Sequence, residues 1–417
     1  MREVFGVRLM HLADLHIGKK VNGFSMLEDQ RFVLKQVLKI ASEQSLDGVI
    51  LAGDIYDKAV PAGEAVQLLD WFLTELAELR LPVYMVSGNH DSADRLSFGA
   101  KLIEKSGVYV AGVYDGTLEP IVLEDEYGTL NLYLLPFVKP VHVRRAMRKV
   151  VEELDTLNTA KTNSNESMTE KGFFGETDAD TVLEDEIKTY DDAMAKVLEI
   201  AEIHADERNL LVAHQLVTGA ARCDSEDVSV GGIDNVSAEL FEDFDYVALG
   251  HIHGPQSMTK DTIRYAGTLL KYSFSECNHK KSITIVELRE KGDVSIETIP
   301  VEVLHDMRIL KGEYASLMAG DSYDNVNRKD YIKVVLTDEQ EIPEVMGKMR
   351  TVYPNIMMLE YDNKRTRTIM DIRGAEVVVQ KQPMEYFKDF YEKQNGVVIN
   401  EEQERTLLGL IKEIWGD

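Results

Sequence analysis

Five times along this chain a short apolar run stops on a polar cluster, and that repeated ending constrains the fold more than any other feature. LMHLAD leads into Asp14-Leu15-His16, VILAGD into Gly53-Asp54-Ile55-Tyr56-Asp57, and YMVSGNHD into Gly88-Asn89-His90-Asp91. LLVAHQ ends on His214, and YVALGHIH on Gly250-His251-Ile252-His253. The runs predict strands at Val7–Leu12, Gly48–Leu51, Val83–Val86, Leu132–Leu135, Leu210–Ala213 and Tyr246–Leu249. Between the first two, Glu28–Glu43 carries Phe32, Val33, Val37 and Ile40 at helical spacing; between the next two, Glu64–Leu79 carries Val66, Leu69, Trp71, Phe72 and Leu76. Strands alternating with helices define an α/β fold. In open α/β sheets ligands bind beyond the carboxyl ends of the strands, so residues far apart in sequence can meet there.

The residue types at those ends are carboxylate, imidazole and carboxamide, with no thiolate. That donor set suits manganese, iron or zinc. Two such cations about 3.5–4 Å apart can polarise a phosphoryl oxygen and activate a water. A pair needs a bridging carboxylate, for which Asp54 is the natural candidate, and the glycine before it lets the backbone turn sharply toward the metals. Taken singly, each motif has a plainer explanation. DxH at a strand end is a turn with a satisfied histidine, GDxxD is a turn with a helix cap, and only GNHD is hard to explain as a turn. The ordered set of five is not explained by turns. His11 lies on a strand and reads as a core residue or a support for the ligands. His142, His204, His279 and His305 have no motif around them and read as structural or exposed.

Composition narrows the class. The 417 residues, 44% hydrophobic, can bury a large core over two or three domains. The two cysteines, Cys223 and Cys277, form no CxxC pair or disulfide framework, which favours a reducing compartment. Neither a leader peptide nor a run of about 20 apolar residues is evident, so the expectation is a cytoplasmic protein with no membrane partner. A net charge of −27 argues against nucleic acid, but the charge is segregated. Residues 151–208 hold 17 Asp and Glu against 5 Lys and Arg. Just before them Lys139–Lys149, KPVHVRRAMRK, holds five basic residues and no acid. That run is either a solvated helix face or a phosphate-contacting patch.

Further along, Thr156–Thr181 is polar and aperiodic and reads as a loop, followed by a helix from about Thr189 to His204. After Thr284–Leu288 the pattern changes to a small α+β segment, with strands at Met307–Lys311, Tyr331–Leu336 and Met357–Tyr361 and a helix over Glu341–Val352. From Pro383 two amphipathic helices follow. Met384, Phe387, Phe390 and Tyr391 mark the first; Asn400 with Gln403 forms a capping box for the second, which carries Leu407, Leu408, Leu410, Ile411, Ile414 and Trp415.

The order DxH, GDxxD, GNHD, H, GHxH resembles the calcineurin-like metallophosphoesterases. Within that family LMHLADLHIG, VILAGDIYD, VSGNHDS and the later IRYAGTLLKYSFSECNHKKSITIVEL resemble the SbcD-type nuclease subunits, closely to about residue 290 and more loosely beyond. The resemblance implies two mixed sheets flanked by helices over residues 1–290, a small α+β DNA-capping domain over 300–370, and a helix pair over 380–417 that binds a coiled-coil ATPase of the SbcC type. It implies two divalent cations, most plausibly Mn2+. One would take Asp14, His16, Asp54 and His253, the other Asp54, Asn89, His214 and His251. His90 would contact the scissile phosphate and assist the leaving oxygen, with Asp91 either orienting its imidazole or capping a helix. The implied activity is 3′–5′ exonuclease on duplex ends and endonuclease on hairpins and single strands, in a homodimer. One departure is Gly254, where many such chains have Lys or Arg; Lys271 or Lys280 could supply the missing phosphate contact. The rivals are a phosphatase or phosphodiesterase of the same family with a non-DNA substrate, which usually ends soon after GHxH, and a non-catalytic scaffold, which commonly loses ligands that are all present here.

Overall fold

The computed structural model describes residues 6–150, 186–201, 203–226, 234–319 and 327–364, together with 366, 384, 387, 388, 391, 398–400 and 402–408. The loop expected at Thr156–Thr181 lies outside them. In chain order the strands used below are β1 (Val7–Leu12), β2 (Gly48–Ala52), β3 (Val83–Val86), β4 (Val108–Ala111), β5 (Ile121–Asp125), β6 (Gly128–Leu135), β7 (Arg208–His214) and β8 (Tyr246–Gly250). They continue with β9 (Gln256–Ser257), β10 (Ile263–Tyr265), β11 (Ser282–Leu288), β12 (Val294–Pro300), β13 (Met307–Gly312), β14 (Tyr331–Leu336) and β15 (Ile356–Tyr361). The main helices are α1 (Leu27–Glu43), α2 (Gly63–Glu78) and α3 (Tyr190–Ile200).

Two six-stranded mixed sheets form the scaffold, ordered β12-β11-β1-β2-β3-β4 and β9-β10-β8-β7-β6-β5. In the first, β1 to β4 pair in parallel while β11 and β12 run antiparallel. In the second, β6, β7, β8 and β10 are parallel, with antiparallel β5 and β9 at the edges. Strand alternation assigns each side chain to a layer. Leu9, Ile50, Ala52, Leu210, Val212, Tyr246 and Ala248 pack between the sheets. Met10, Leu12, Val49 and Leu51 face outward under α1 and α2, meeting Val33, Val37, Leu68 and Phe72. Leu211, Ala213, Val247 and Leu249 face the other way, under α3 with Met194 and Val197. All five residues of β2 are buried because both faces of its sheet are covered. Fully burying one Leu or Phe contributes about 1.5–3 kcal/mol, so these three apolar layers hold the sandwich closed.

Local chemistry starts α3 where the sequence predicts. Thr189 Oγ1 accepts from the Asp192 amide at 3.1 Å, and the Asp192 carboxylate accepts from the Thr189 amide at 2.8 Å. The helix ends at Ile200, short of His204. Beyond β12 a third sheet runs β13-β14-β15. The helix expected over Glu341–Val352 spans only Val345–Arg350. The chain divides into two compact units, 1–310 with 318–334 and 344–359, and 311–317 with 335–343 and 360–417. The C-terminal helix pair falls largely outside the described residues. Residues 402–408 are helical, and the capping box at its start is formed: Gln403 donates its amide to Asn400 Oδ1 at 2.9 Å, and Asn400 donates its own to Gln403 Oε1 at 3.1 Å. Among the described residues no helix is long and apolar enough to cross a membrane.

Candidate metal centre

Every one of the five polar strand ends reaches the same place. Asp14 and His16 follow β1, Asp54 follows β2, Asn89 to Asp91 follow β3, and His214, His251 and His253 come from the ends of β7 and β8 in the other sheet. The sheets touch there. His214 Nδ1 donates to the Ala52 carbonyl at 2.8 Å, and a Cβ on Gly250 would lie 1.8 Å from that same oxygen. Gly53 and Gly88 are needed for like reasons: a Cβ on the first would strike the His214 ring at 2.2 Å, and on the second Asp54 Oδ1 at 2.1 Å. Asp14, His16, Asp54 and His251 all have positive φ, between 43° and 101°, which non-glycine residues rarely adopt.

Two groups of donors meet at one carboxylate. His16 Nε2 lies 3.0 Å from His253 Nε2 and 3.6 Å from Asp54 Oδ2, and Asp14 joins the two histidines in a cluster tight enough for one ion. On the other side His214 Nε2 is 3.5 Å from the same Asp54 Oδ2 and 3.1 Å from Asn89 Oδ1, which is 2.9 Å from His251 Nδ1. The second oxygen, Asp54 Oδ1, accepts the His90 amide at 2.9 Å, leaving Oδ2 to face both groups. Asp14, His16 and His214 are wholly buried, and Asp54 and His253 nearly so.

These residues fit a pair of cations. Asp14 Oδ2 is buried with no hydrogen-bond partner, a costly state for a carboxylate unless a cation meets it. Two imidazole nitrogens 3.0 Å apart need a proton or a cation between them. Burial lowers His251 and His253 to about 3 and His16 well below its ordinary value, so all three are neutral with a lone pair to give. Burial alone would lower His214, but Asp54 and Asp14 outweigh it and raise it to about 9. Burial would likewise raise Asp54, but the charge and hydrogen bond of His214, with His16 and His90, hold it well below the usual carboxylate range. Burial takes Asp14 well above that range.

A further ring of contacts orients the candidate ligands. With Nδ1 donating to Ala52, His214 presents Nε2. His253 Nδ1 meets Ser225 Oγ at 2.6 Å; that hydroxyl also contacts Glu276 at 2.6 Å, and Glu276 is held by the buried ammonium of Lys281 at 2.5 Å. Gln30 and Tyr272 together hold the carbonyls of Leu15 and His16. Sequence reasoning did not single out Ser225, Glu276, Lys281 or Gln30. The signal for two of these, Glu276 and Lys281, was the KYSFSECNHKKS stretch, which also supplies Tyr272.

His90 sits at the rim, half-buried, with Nδ1 3.1 Å from the Asp57 carbonyl and Nε2 3.9 Å from Asp54 Oδ2. The expected role for Asp91 needs correction. Its carboxylate accepts the amides of Ile55 (3.0 Å), Tyr56 (2.9 Å) and Gly88 (2.9 Å), so it clamps the Asp54 loop to the GNHD loop, and it is the Asp57 carbonyl that meets the His90 ring. Lys271 is likewise engaged elsewhere, bonded to Asp306 and to the Cys277 carbonyl, both at 2.7 Å. Lys280 is exposed and, with Arg222 and His279, lines a cavity of about 350 Å3 beside Gly254. His11 bonds Tyr246 between the sheets at 2.9 Å, and His305 bonds Asp29 at 2.9 Å, as non-ligands.

Carboxylate, carboxamide and imidazole donors delivered from strand ends on two packed sheets suit a metallophosphoesterase, and residues 7–255 match the model of the calcineurin-like phosphoesterases. The chain belongs to that family, which works with a dimetal centre, and is a metal-dependent phosphodiesterase. Residues 303–395 match the SbcD_C model, described as the type 5 capsule protein repressor C-terminal domain. Among curated relatives the chain is similar to the D subunit of nuclease SbcCD from Staphylococcus epidermidis, 28% identical over 377 residues that cover 89% of this chain and 90% of that protein. Among solved structures a dimetal phosphatase from Danio rerio aligns with 72% of this chain and 99% of its own, at 14% identity and a TM-score of 0.36.

Proposed function

We propose that this chain is the nuclease subunit of a DNA-repair complex, cleaving duplex ends 3′ to 5′ and nicking hairpins and single strands with two manganese ions. Asp14, His16, Asp54 and His253 would hold one ion, and Asp54, Asn89, His214 and His251 the other. The observation that carries this is the single oxygen, Asp54 Oδ2, lying 3.6 Å from His16 Nε2 and 3.5 Å from His214 Nε2. A bound cation pair supplies charge to a phosphoryl oxygen and lowers the pKa of a water. The choice of a nucleic-acid substrate rests on the curated relative, which is named a nuclease subunit, and the choice of DNA on the resemblance of the motifs to the SbcD-type subunits.

The chain's own residues do the rest. Asp54 fixes the spacing of the two donor groups, because its other oxygen is held by the His90 amide. His90, its Nδ1 held by Asp57, turns Nε2 toward the site, where it can stabilise the phosphoryl charge or give a proton to the leaving oxygen. Residues 300–370 would cap the DNA, residues 380–417 would dock on a coiled-coil ATPase of the SbcC type, and two nuclease subunits would pair.

The test is cleavage of hairpin DNA in manganese, with and without the ATPase partner, by the parent and His90→Asn. The variant should keep its metal and lose about 10²–10⁴-fold in kcat. Equal cleavage by both removes His90 from the chemistry. Hydrolysis of small phosphate esters with no cleavage of DNA favours a phosphodiesterase acting on another substrate.

A further inference from the structure

A basic run in this acidic chain lies beside the metal centre. Residues 140–150 are helical, with Val143, Ala146 and Met147 buried in the layer under the second sheet. His142, Arg145 and Lys149, three and four residues apart, share the exposed face. That face lines a cavity of about 710 Å3 whose wall also includes Gly88 and Asn89, the latter a ligand in the proposed centre. Lys139 lines it too, with Nζ 5.9 Å from the Phe137 ring centroid, and Phe137 stacks on His251 with centroids 6.3 Å apart and planes 14° apart. An unbroken surface therefore runs from two proposed ligands, Asn89 and His251, across an aromatic ring to the cationic face.

The acids on the wall do not cancel this charge. Asp91 is bound to three amides, and Asp115 caps Thr117, leaving Asp94. Among the described residues neither Arg145 nor Lys149 has an acidic partner, whereas neighbouring Arg144 is tied to the Ile187 carbonyl. Burial, with Lys139 and Arg145, keeps His142 below its ordinary pKa, so Lys139, Arg145 and Lys149 carry the charge.

We infer that this cavity is a binding subsite for the phosphates of a single nucleic-acid strand leaving the scissile bond, contacted by Lys139, Arg145 and Lys149. The inference rests on the nuclease reading and deepens it. A small phosphate ester spans only the metal centre, whereas a polynucleotide reaches the helix face, so the subsite acts on strand binding and not on bond cleavage. Base identity does not matter to it, because the contacts are to backbone charge.

The full-length chain, loaded with manganese, is compared with its Arg145→Glu/Lys149→Glu variant on a single-stranded oligonucleotide and on bis(4-nitrophenyl) phosphate. The ratio of kcat/KM on the oligonucleotide to that on the small diester should fall about tenfold or more, through KM. The dependence of oligonucleotide KM on salt should become shallower by about 1.4 in log–log slope, roughly 0.7 for each phosphate no longer neutralised. Arg145→Lys/Lys149→Arg should restore both. An unchanged ratio and slope overturn the subsite and leave the nuclease reading standing. Equal losses on both substrates also overturn it, placing the helix in the upkeep of the metal centre. A parent that hydrolyses the diester and cleaves no oligonucleotide overturns both readings.

Discussion

Asp14, His16, Asp54 and His251 hold their side chains toward the centre from backbone that non-glycine residues avoid, at a cost of order 1–3 kcal/mol each. The surrounding contacts that impose this are specific. Asp14 accepts the His251 amide at 2.9 Å across the sheets, and Asp54 is fixed by the His90 amide from one side and crowded by Gly88 from the other. Gly88→Ala tests how tightly the bridging carboxylate is held, since the new methyl would stand 2.1 Å from Asp54 Oδ1. Manganese affinity should fall about 10–100-fold, the loss seen when a group that positions a metal ligand is disturbed, with circular dichroism little changed. Titration of manganese into the variant measures it; affinity equal to the parent's would show that the loop yields freely.

At the scale of elements, strand interiors were legible and strand edges were not. β1, β3 and β14 have the bounds their sequences predict, because their largely buried residues read as predominantly apolar runs. β4, β5 and β12 went unseen. They lie at sheet edges and are largely half-exposed, so VYVA, IVLED and VSIETIP carry no strong period. The proposed metal donors were legible because each follows such a run. Their supports were not: Ser225, Glu276 and Lys281 meet only through tertiary folding, and no local rule links a serine to a histidine 28 positions later. One buried arginine stitches the second sheet's edge. Arg208, 4% exposed, pairs with Asp125 at 2.7 and 2.9 Å and also donates to the carbonyls of Gly128, Thr129 and Arg289, joining β7 to the β5–β6 hairpin and the end of β11. Arg208→Met leaves Asp125 and three carbonyls without that partner and should cost about 3–5 kcal/mol. Thermal melts should show a fall in Tm on the order of 10 °C. A fall of a degree or less would mean that the pair holds nothing together.

Over the whole molecule, charge is unevenly distributed. The net charge is −27, with a 12-charge excess of acid within residues 151–208, while the stretch just before them carries the basic helix face beside the centre. Net charge alone would have excluded a polyanionic substrate; the local distribution reverses that expectation, because a phosphate responds to charges within about a Debye length of ~10 Å. Within the first unit, both sheets, all three apolar layers and the glycines at the strand ends serve one outcome, two groups of donors sharing Asp54 Oδ2. Calorimetric titration of manganese into metal-free protein, with metal content counted by mass spectrometry, reads that outcome directly. The parent should take up two ions per chain, and Asp54→Ala should lose tight binding of both together, because each ion uses the same carboxylate. A parent that binds one ion or none, or an Asp54→Ala variant that keeps one site intact, would contradict the shared-carboxylate centre.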